Sequence, residues 1–252
     1  MAIANRATGL EQVRDKTISS GKKADLPVAS LILGALSFVG MLISLWMIFI
    51  YAPTDAVQGP PQRIFYFHVP MAWLGMLSFV IMAVAGVVYL LKRDERWDIL
   101  GRAASEVGIV FLTLAIILGS LWGRPIWGTW WTWDPKLTAC LILWFMYVGY
   151  IMVHSYMGRT PESGRAAAVL ALVGVVDVPI IYEATNWWRT LHPAAEIGVA
   201  GALPPSVTLT LMVALTTFTL LYCFMMIQLY QLVKMQTLAQ RLRATVEYEI
   251  GE

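Results

Sequence analysis

Charge is scarce in this sequence. Of 252 residues, 13% are Asp, Glu, Lys or Arg, about half the share found in a soluble domain, and that shortage excludes an ordinary water-soluble fold. The formal net charge is only +2, which excludes the broad basic footprint of a nucleic-acid-binding protein. There are two cysteines, Cys140 and Cys223. Each lies inside a long apolar stretch, a setting for buried thiols, and neither a disulfide scaffold nor a CxxC redox pair can be built from them. Three histidines with no cysteine beside them make a closed zinc site a poor fit. No internal repeat and no low-complexity segment is present.

What the chain has instead is apolar length. Hydrophobic residues make up 58%, gathered into six runs at approximately 27–51, 68–91, 103–122, 137–157, 166–182 and 207–233. Most are about 20 residues or longer, which at roughly 1.5 Å per helical residue crosses a hydrocarbon core of about 30 Å. The fifth run is the shortest at 17 residues. The runs are continuous rather than alternating, so spanning strands are excluded. The reading is an all-α integral membrane protein with six transmembrane helices. Residues 27–233 form the membrane domain, 1–26 an N-terminal segment and 234–252 a tail expected to be a short polar helix.

The loop charges set an orientation. Fourteen Lys and Arg lie on the segments that include both termini, among them Lys22, Lys23, Arg93, Arg102, Arg159, Arg165 and Lys234, against four on the opposite loops: Arg63, Arg124, Lys136 and Arg189. Positive charge is retained on the cytoplasmic side. Both termini are therefore expected in the cytoplasm and three loops outside. The polar stretch EQVRDKTISSGKKAD precedes the first run, so that run is expected to stay as an anchor rather than to be removed as a signal peptide.

The unusual residues converge on the outward loops. The stretch WGRPIWGTWWTWDPKLT, starting at Trp122, carries five of the chain's eleven tryptophans. Outward loop 1 contains QGPPQRIFYFHVP, with His68 at the mouth of span 2, and outward loop 3 contains YEATNWWRTLHP, with Trp187, Trp188 and His192. Two of three histidines and seven of eleven tryptophans therefore share one face.

Each of these residues also has a plain structural role open to it. Interfacial tryptophans form anchoring belts, but a belt populates both faces, and the inner face offers Trp97 as its plain example. Asp134 before Pro135 reads as an N-cap and first helical residue starting span 4. His154, near the inner end of span 4, reads as structural. Glu106 reads as a solvated acid at the start of span 3. Asp177, near the middle of span 5, is either functional, as acids within membranes are by default, or a partner for backbone freed by Pro179.

A flat apolar ligand with two carboxylates and an imidazole-binding metal fits the outer face. Haem has these properties: indoles can stack on the macrocycle, iron accepts imidazole from either axial side, and propionates pair with cations near water. Arg63 and Lys136 are the expected propionate contacts, with Arg124 and Arg189 in reserve. No hydrolytic arrangement is visible. Two other classes stay open on the residues alone: a b-type haem electron-transfer subunit, and a small-molecule permease with Asp177 as its coupling acid.

The residues Trp127, Gly128, Trp131, Trp133 and Asp134 in WGTWWTWDPKLT resemble the tryptophan-rich WWD signature of the haem-handling proteins of cytochrome c biogenesis. Together with six spans, RIFYFHVP and the WW.TLH segment, the chain is similar to the CcmC family over nearly all its length. The larger CcmF and CcsA types share the signature but have more spans. The resemblance implies that His68 and His192 are axial ligands of non-covalent, b-type haem in transit. It implies a haem platform of Trp127, Gly128, Trp130, Trp131, Trp133, Asp134, Trp187 and Trp188. It further implies a location in the bacterial inner membrane with periplasmic functional loops. The implied role is presentation of haem to the chaperone CcmE, beside the small protein CcmD and the ABC transporter CcmA with CcmB, and not an enzymatic reaction. One departure is visible: the family commonly has Arg where Lys136 stands, and lysine lacks the planar fork that grips a carboxylate at two points.

Overall fold

The computed structural model describes residues 28–192 and 203–251. Six stretches of helix are long and apolar enough to cross a membrane: Val28–Tyr51, Pro60–Lys92, Glu95–Trp127, Pro135–Met157, Pro161–Trp187 and Pro205–Glu247. These are the six runs expected, extended at both ends wherever polar residues continue the helix into the boundary. Among the described residues there is no strand. The first helix, α1 (Val28–Trp46), widens into a π-turn at Met47–Tyr51, and α2 (Phe65–Lys92) follows a short 3-10 turn. Next come α3 (Glu95–Trp127) and α4 (Pro135–Met157). The fifth span is broken into α5 (Pro161–Gly174) and α6 (Asp177–Trp187), and α7 (Pro205–Gly251) carries the sixth span without interruption into the tail.

The alternation of helix direction gives the bundle two ends. One holds the ends of α1, α3 and α6 with the starts of α2, α4 and α7, and is here the tryptophan end. The other holds the end of α2 and the starts of α3 and α5, rich in arginine. The N-terminal segment 1–26, with its five cations, lies outside the described residues.

A chain solvated by lipid inverts the usual burial rule. On α1 the buried residues are Ser30, Ser37 and Ser44, seven apart, while its leucines and isoleucines face outward. Lipid satisfies the apolar side chains, so small polar residues take the interior, where they let helices approach and exchange hydrogen bonds. Ser44 bonds the Thr217 hydroxyl of α7 at 3.0 Å and Gln228 donates to Ser30 at 3.0 Å. Three further bonds cross the centre: Ser78 to Tyr222 at 2.9 Å, Tyr147 to the Gly75 carbonyl at 2.6 Å, and Trp144 to Thr113 at 2.8 Å. The tightest approach is at Gly108 on α3, where a Cβ would lie 2.5 Å from Cβ of Ser78. Glycine there lets α2 and α3 pack most extensively of all pairs.

Three expectations need correction. Glu106 is not at a helix start: α3 begins at Glu95 after the N-cap Asp94, so Glu95 and Asp98 are the acids on its first turn. Cys223 is not buried by protein but exposed on the lipid side of α7, while Cys140 is partly covered; both thiols are free. The break in span 5 comes at Val175–Val176, ahead of Pro179, which sits in the first turn of α6 where its missing N–H disturbs little.

Candidate functional site

Three loops and the ends of two long helices assemble the tryptophan end. His68 lies on the first turn of α2, and its Nδ1 is 2.9 Å from the Ala115 carbonyl of α3. A carbonyl only accepts, so Nδ1 carries the hydrogen and Nε2 keeps its lone pair, the arrangement of a metal-binding histidine held by a backbone oxygen. The ring rests against bare backbone at Gly119, one turn further along α3; a Cβ there would stand 3.0 Å from His68 Cε1. Trp122, again on α3, packs edge-on to His68 at 5.9 Å and to Phe65 at 5.9 Å, and its indole N–H donates to Gln58 at 3.0 Å.

The His192 ring comes to 6.4 Å from the His68 ring, with a tilt of 38°, and to 6.4 Å from Trp127. Thr190 fixes the approach, its hydroxyl donating to the His192 carbonyl at 3.0 Å. Residues 124 positions apart in sequence, one at the start of α2 and one on loop 3, thus face one another over the end of α3.

Loop 2 is held from both sides. α3 stops at Gly128, whose φ of 76° is the left-handed conformation that glycine adopts without strain. Arg124 donates to the Gly128 carbonyl and lies 6.0 Å from the Trp130 ring centroid. At the other end Asp134 Oδ1 accepts from the Leu137 N–H at 3.0 Å and Oδ2 from the Thr132 hydroxyl at 3.1 Å, with Pro135 opening α4. Asp134 is the N-cap that the Asp-Pro pair predicts, and it also orients the loop that precedes it.

The tryptophans divide into two sets. Trp122, Trp127 and Trp131 are partly covered, whereas Trp130, Trp133, Trp187 and Trp188 are exposed, Trp133 to 75%. Trp131 meets Trp133 edge-on at 5.9 Å, and Trp187 meets Trp188 at 5.6 Å. The Trp131 indole nitrogen is buried yet has no acceptor among the described residues.

The four cations differ. Arg63 Nη1 donates to the Ile48 and Phe49 carbonyls, at 2.8 and 2.6 Å, and Nη2 to Thr54 at 3.3 Å. It therefore closes the π-turn at the end of α1, where a cation also suits the helix dipole. Lys136 is partly covered and lies within electrostatic reach of His68. Arg124 belongs to the loop clamp, and Arg189 is exposed.

Sequence reading missed Gly119, Ala115 and Gln58, and gave Trp122 no role beyond the aromatic face. Gly119 and Gly123 flank Trp122 at helical spacing in GSLWG, which was a readable sign that ring systems close on this helix face. Gly123 is crowded in the same way, its Cβ position 3.0 Å from the Trp127 ring.

Comparison with known proteins points to one family. The model of the family described as CcmC, Heme exporter protein C, matches residues 24–248. A Heme exporter protein C of Bradyrhizobium diazoefficiens is 42% identical over 173 residues, 68% of this chain and 66% of that protein. Its namesake in Escherichia coli strain K12 is 43% identical over 142 residues, 56% of this chain and 58% of that protein. A protein of Arabidopsis thaliana named as a ccmC-like mitochondrial protein of cytochrome c biosynthesis is 30% identical over 225 residues, 85% of this chain and 86% of its own length. The matched stretches of the first two thus span a little under two thirds of those bacterial proteins.

Proposed function

Because the chain belongs to the Heme exporter protein C family, we propose that it holds haem as cargo at the tryptophan end and hands it to a haem chaperone during assembly of c-type cytochromes. The observation that carries this reading is the His68–His192 pair. An imidazole nitrogen stands about 2 Å from a transition metal, so two axial imidazoles on one iron keep their ring centroids roughly 6 Å apart. The rings here are 6.4 Å apart. His68, with Nδ1 on the Ala115 carbonyl, has Nε2 as its ligating atom.

The remaining residues fit the cargo. Iron supplies the affinity for imidazole, and the chain supplies shape and charge. Trp127 flanks His192 and Trp122 flanks His68, giving a ligand apolar walls on both sides. Lys136 is the cation best situated for a propionate, with Arg63, Arg124 and Arg189 at the same end. Three of these four are exposed or already bonded to backbone, so Lys136 carries most of the charge pairing in this reading. The exposed faces of Trp130, Trp133, Trp187 and Trp188 leave one side open to a docking partner. That partner is the chaperone CcmE, with CcmD and the ABC transporter CcmA and CcmB completing the assembly. The tryptophan end faces the periplasm, the haem is of b type and non-covalent, and the chain is a transfer scaffold rather than an enzyme.

An absorption spectrum of the purified protein tests the ligand assignment. The wild type from haem-replete cells shows a bis-imidazole Soret and α-band pattern, and the double variant His68→Ala with His192→Ala loses it. Retention of an unaltered spectrum by the double variant overturns the assignment.

A further inference from the structure

The arginine end of the bundle has a cavity of its own. It encloses about 320 Å³ between the end of α2, the starts of α3 and α5, and α7, and its lining includes Arg93, Arg102, Arg159, Arg165, Glu95 and Asp98. Four guanidinium groups face two carboxylates, a surplus of two positive charges in a space bounded by membrane-spanning helices.

The arginines have unequal tasks. Arg159 is committed to α7, with Nη1 donating to the Val233 carbonyl at 3.1 Å and the Thr237 hydroxyl at 2.7 Å, and Nη2 to Gln236 at 2.7 Å. It builds a wall. Arg102 is different: its side chain is 8% exposed, and its Nε lies 3.0 Å from Asp98 Oδ2 but is aligned too poorly for a hydrogen bond. A buried guanidinium Nε without a well-aligned acceptor is an incomplete arrangement. Asp98 is shared besides, since its Oδ1 lies 3.6 Å from His154 Nε2. Arg93 and Arg165 are exposed at the mouth and form no ion pair among the described residues. Arg93 holds the left-handed conformation at φ 57°, alone among the described non-glycine residues.

Two helix starts border the same space: α3 begins at Glu95 and α5 at Pro161, and both residues line the cavity.

We propose that this cavity is an oxyanion site that takes a phosphate group, with Arg102 as the innermost donor and Arg93 and Arg165 closing over it. Phosphate offers several acceptor oxygens to guanidinium forks, and a dianion offsets the surplus of two charges. The volume exceeds that of a bare phosphate and leaves room for a substituent. Basic pockets between membrane helices take the paired phosphates of cardiolipin, and free inorganic phosphate presents the same chemistry. The site is independent of the haem reading, because it lies at the other end of the bundle and shares no residue with it.

The full-length protein in nanodiscs separates the two sources. One arm compares phosphatidylcholine discs with discs containing cardiolipin as well, counting by native mass spectrometry the lipid retained after release. The other arm adds inorganic phosphate to phosphatidylcholine discs and follows the melting temperature. Selective cardiolipin retention, or saturable stabilisation by phosphate, is expected for wild type, and either falls about tenfold in affinity in the double variant Arg93→Gln with Arg165→Gln. That variant removes only exposed side chains and keeps its haem spectrum, which reports its folding. Arg102→Gln abolishes binding in whichever arm is positive. No lipid selectivity together with no phosphate stabilisation, or equal binding by the double variant, overturns the proposal.

Discussion

The imidazoles of His68 and His192 face one another at 6.4 Å across the end of α3. One is pinned to the Ala115 carbonyl by its Nδ1, while the other arrives on a loop steadied by Thr190.

Gly119 is the floor under the rigid half. A Gly119→Leu side chain would push the His68 ring from its carbonyl partner, since even a Cβ stands 3.0 Å from the ring. Haem retained per protein should fall about tenfold or more, as for other losses of ligand support. Membrane level and helix content stay at wild-type values, and pyridine haemochrome assay against protein measures the ratio.

Trp131 has a buried indole N–H without an acceptor among the described residues. Trp131→Phe removes an unsatisfied donor while keeping most of the ring, so haem-free stability changes by less than about 0.5 kcal/mol or rises. Haem transfer to the chaperone should nevertheless weaken. A clear loss of thermal stability would mean the indole nitrogen serves the fold alone.

Asp134 has two tasks, a cap for α4 and a tie to Thr132. Asp134→Ala is expected to cost about 1 kcal/mol and to weaken haem transfer more than membrane insertion. Asp134→Asn keeps much of the cap. Thermal melts and a cytochrome c assembly assay on both variants separate cap from loop.

Arg63 closes the carbonyls of the π-turn at Ile48 and Phe49. Arg63→Ala should therefore lower stability by about 1 to 2 kcal/mol, discounted for its partial exposure, even in haem-free protein. A residue that served propionate alone would show that loss only in the haem-loaded form, and melts of both forms distinguish the cases.

Lys136 is partly covered and lies within electrostatic reach of His68. Lys136→Arg should hold haem at least as well as wild type, because a fork can take two carboxylate oxygens, whereas Lys136→Glu should lose haem several-fold through like-charge repulsion. Haem titration by absorbance reads both.

The six spans were legible from apolar run lengths alone, because lipid imposes continuous apolar helices and little else. The Asp-Pro start of α4 was legible for a similar reason: the cap needs one side chain and the next two residues' backbone. In span 5 Pro179 signalled disturbed backbone, but the break itself falls at Val175–Val176, between Gly174 and Asp177. Glu106 was misplaced because polar residues ahead of an apolar run look like a loop, yet Glu95–Gly101 continue the helix at the membrane boundary.

The sequence by itself determined the class of the protein, its number of spans and which loops share an end, since composition and run length are local properties that solvent reads directly. Tertiary structure alone decided that His68 meets His192, that Gly119 leaves space for a ring and that Arg63 is bonded to the backbone of α1. Those relations join separate elements, and only the packing of α1, α2, α3 and α6 sets the distances between them.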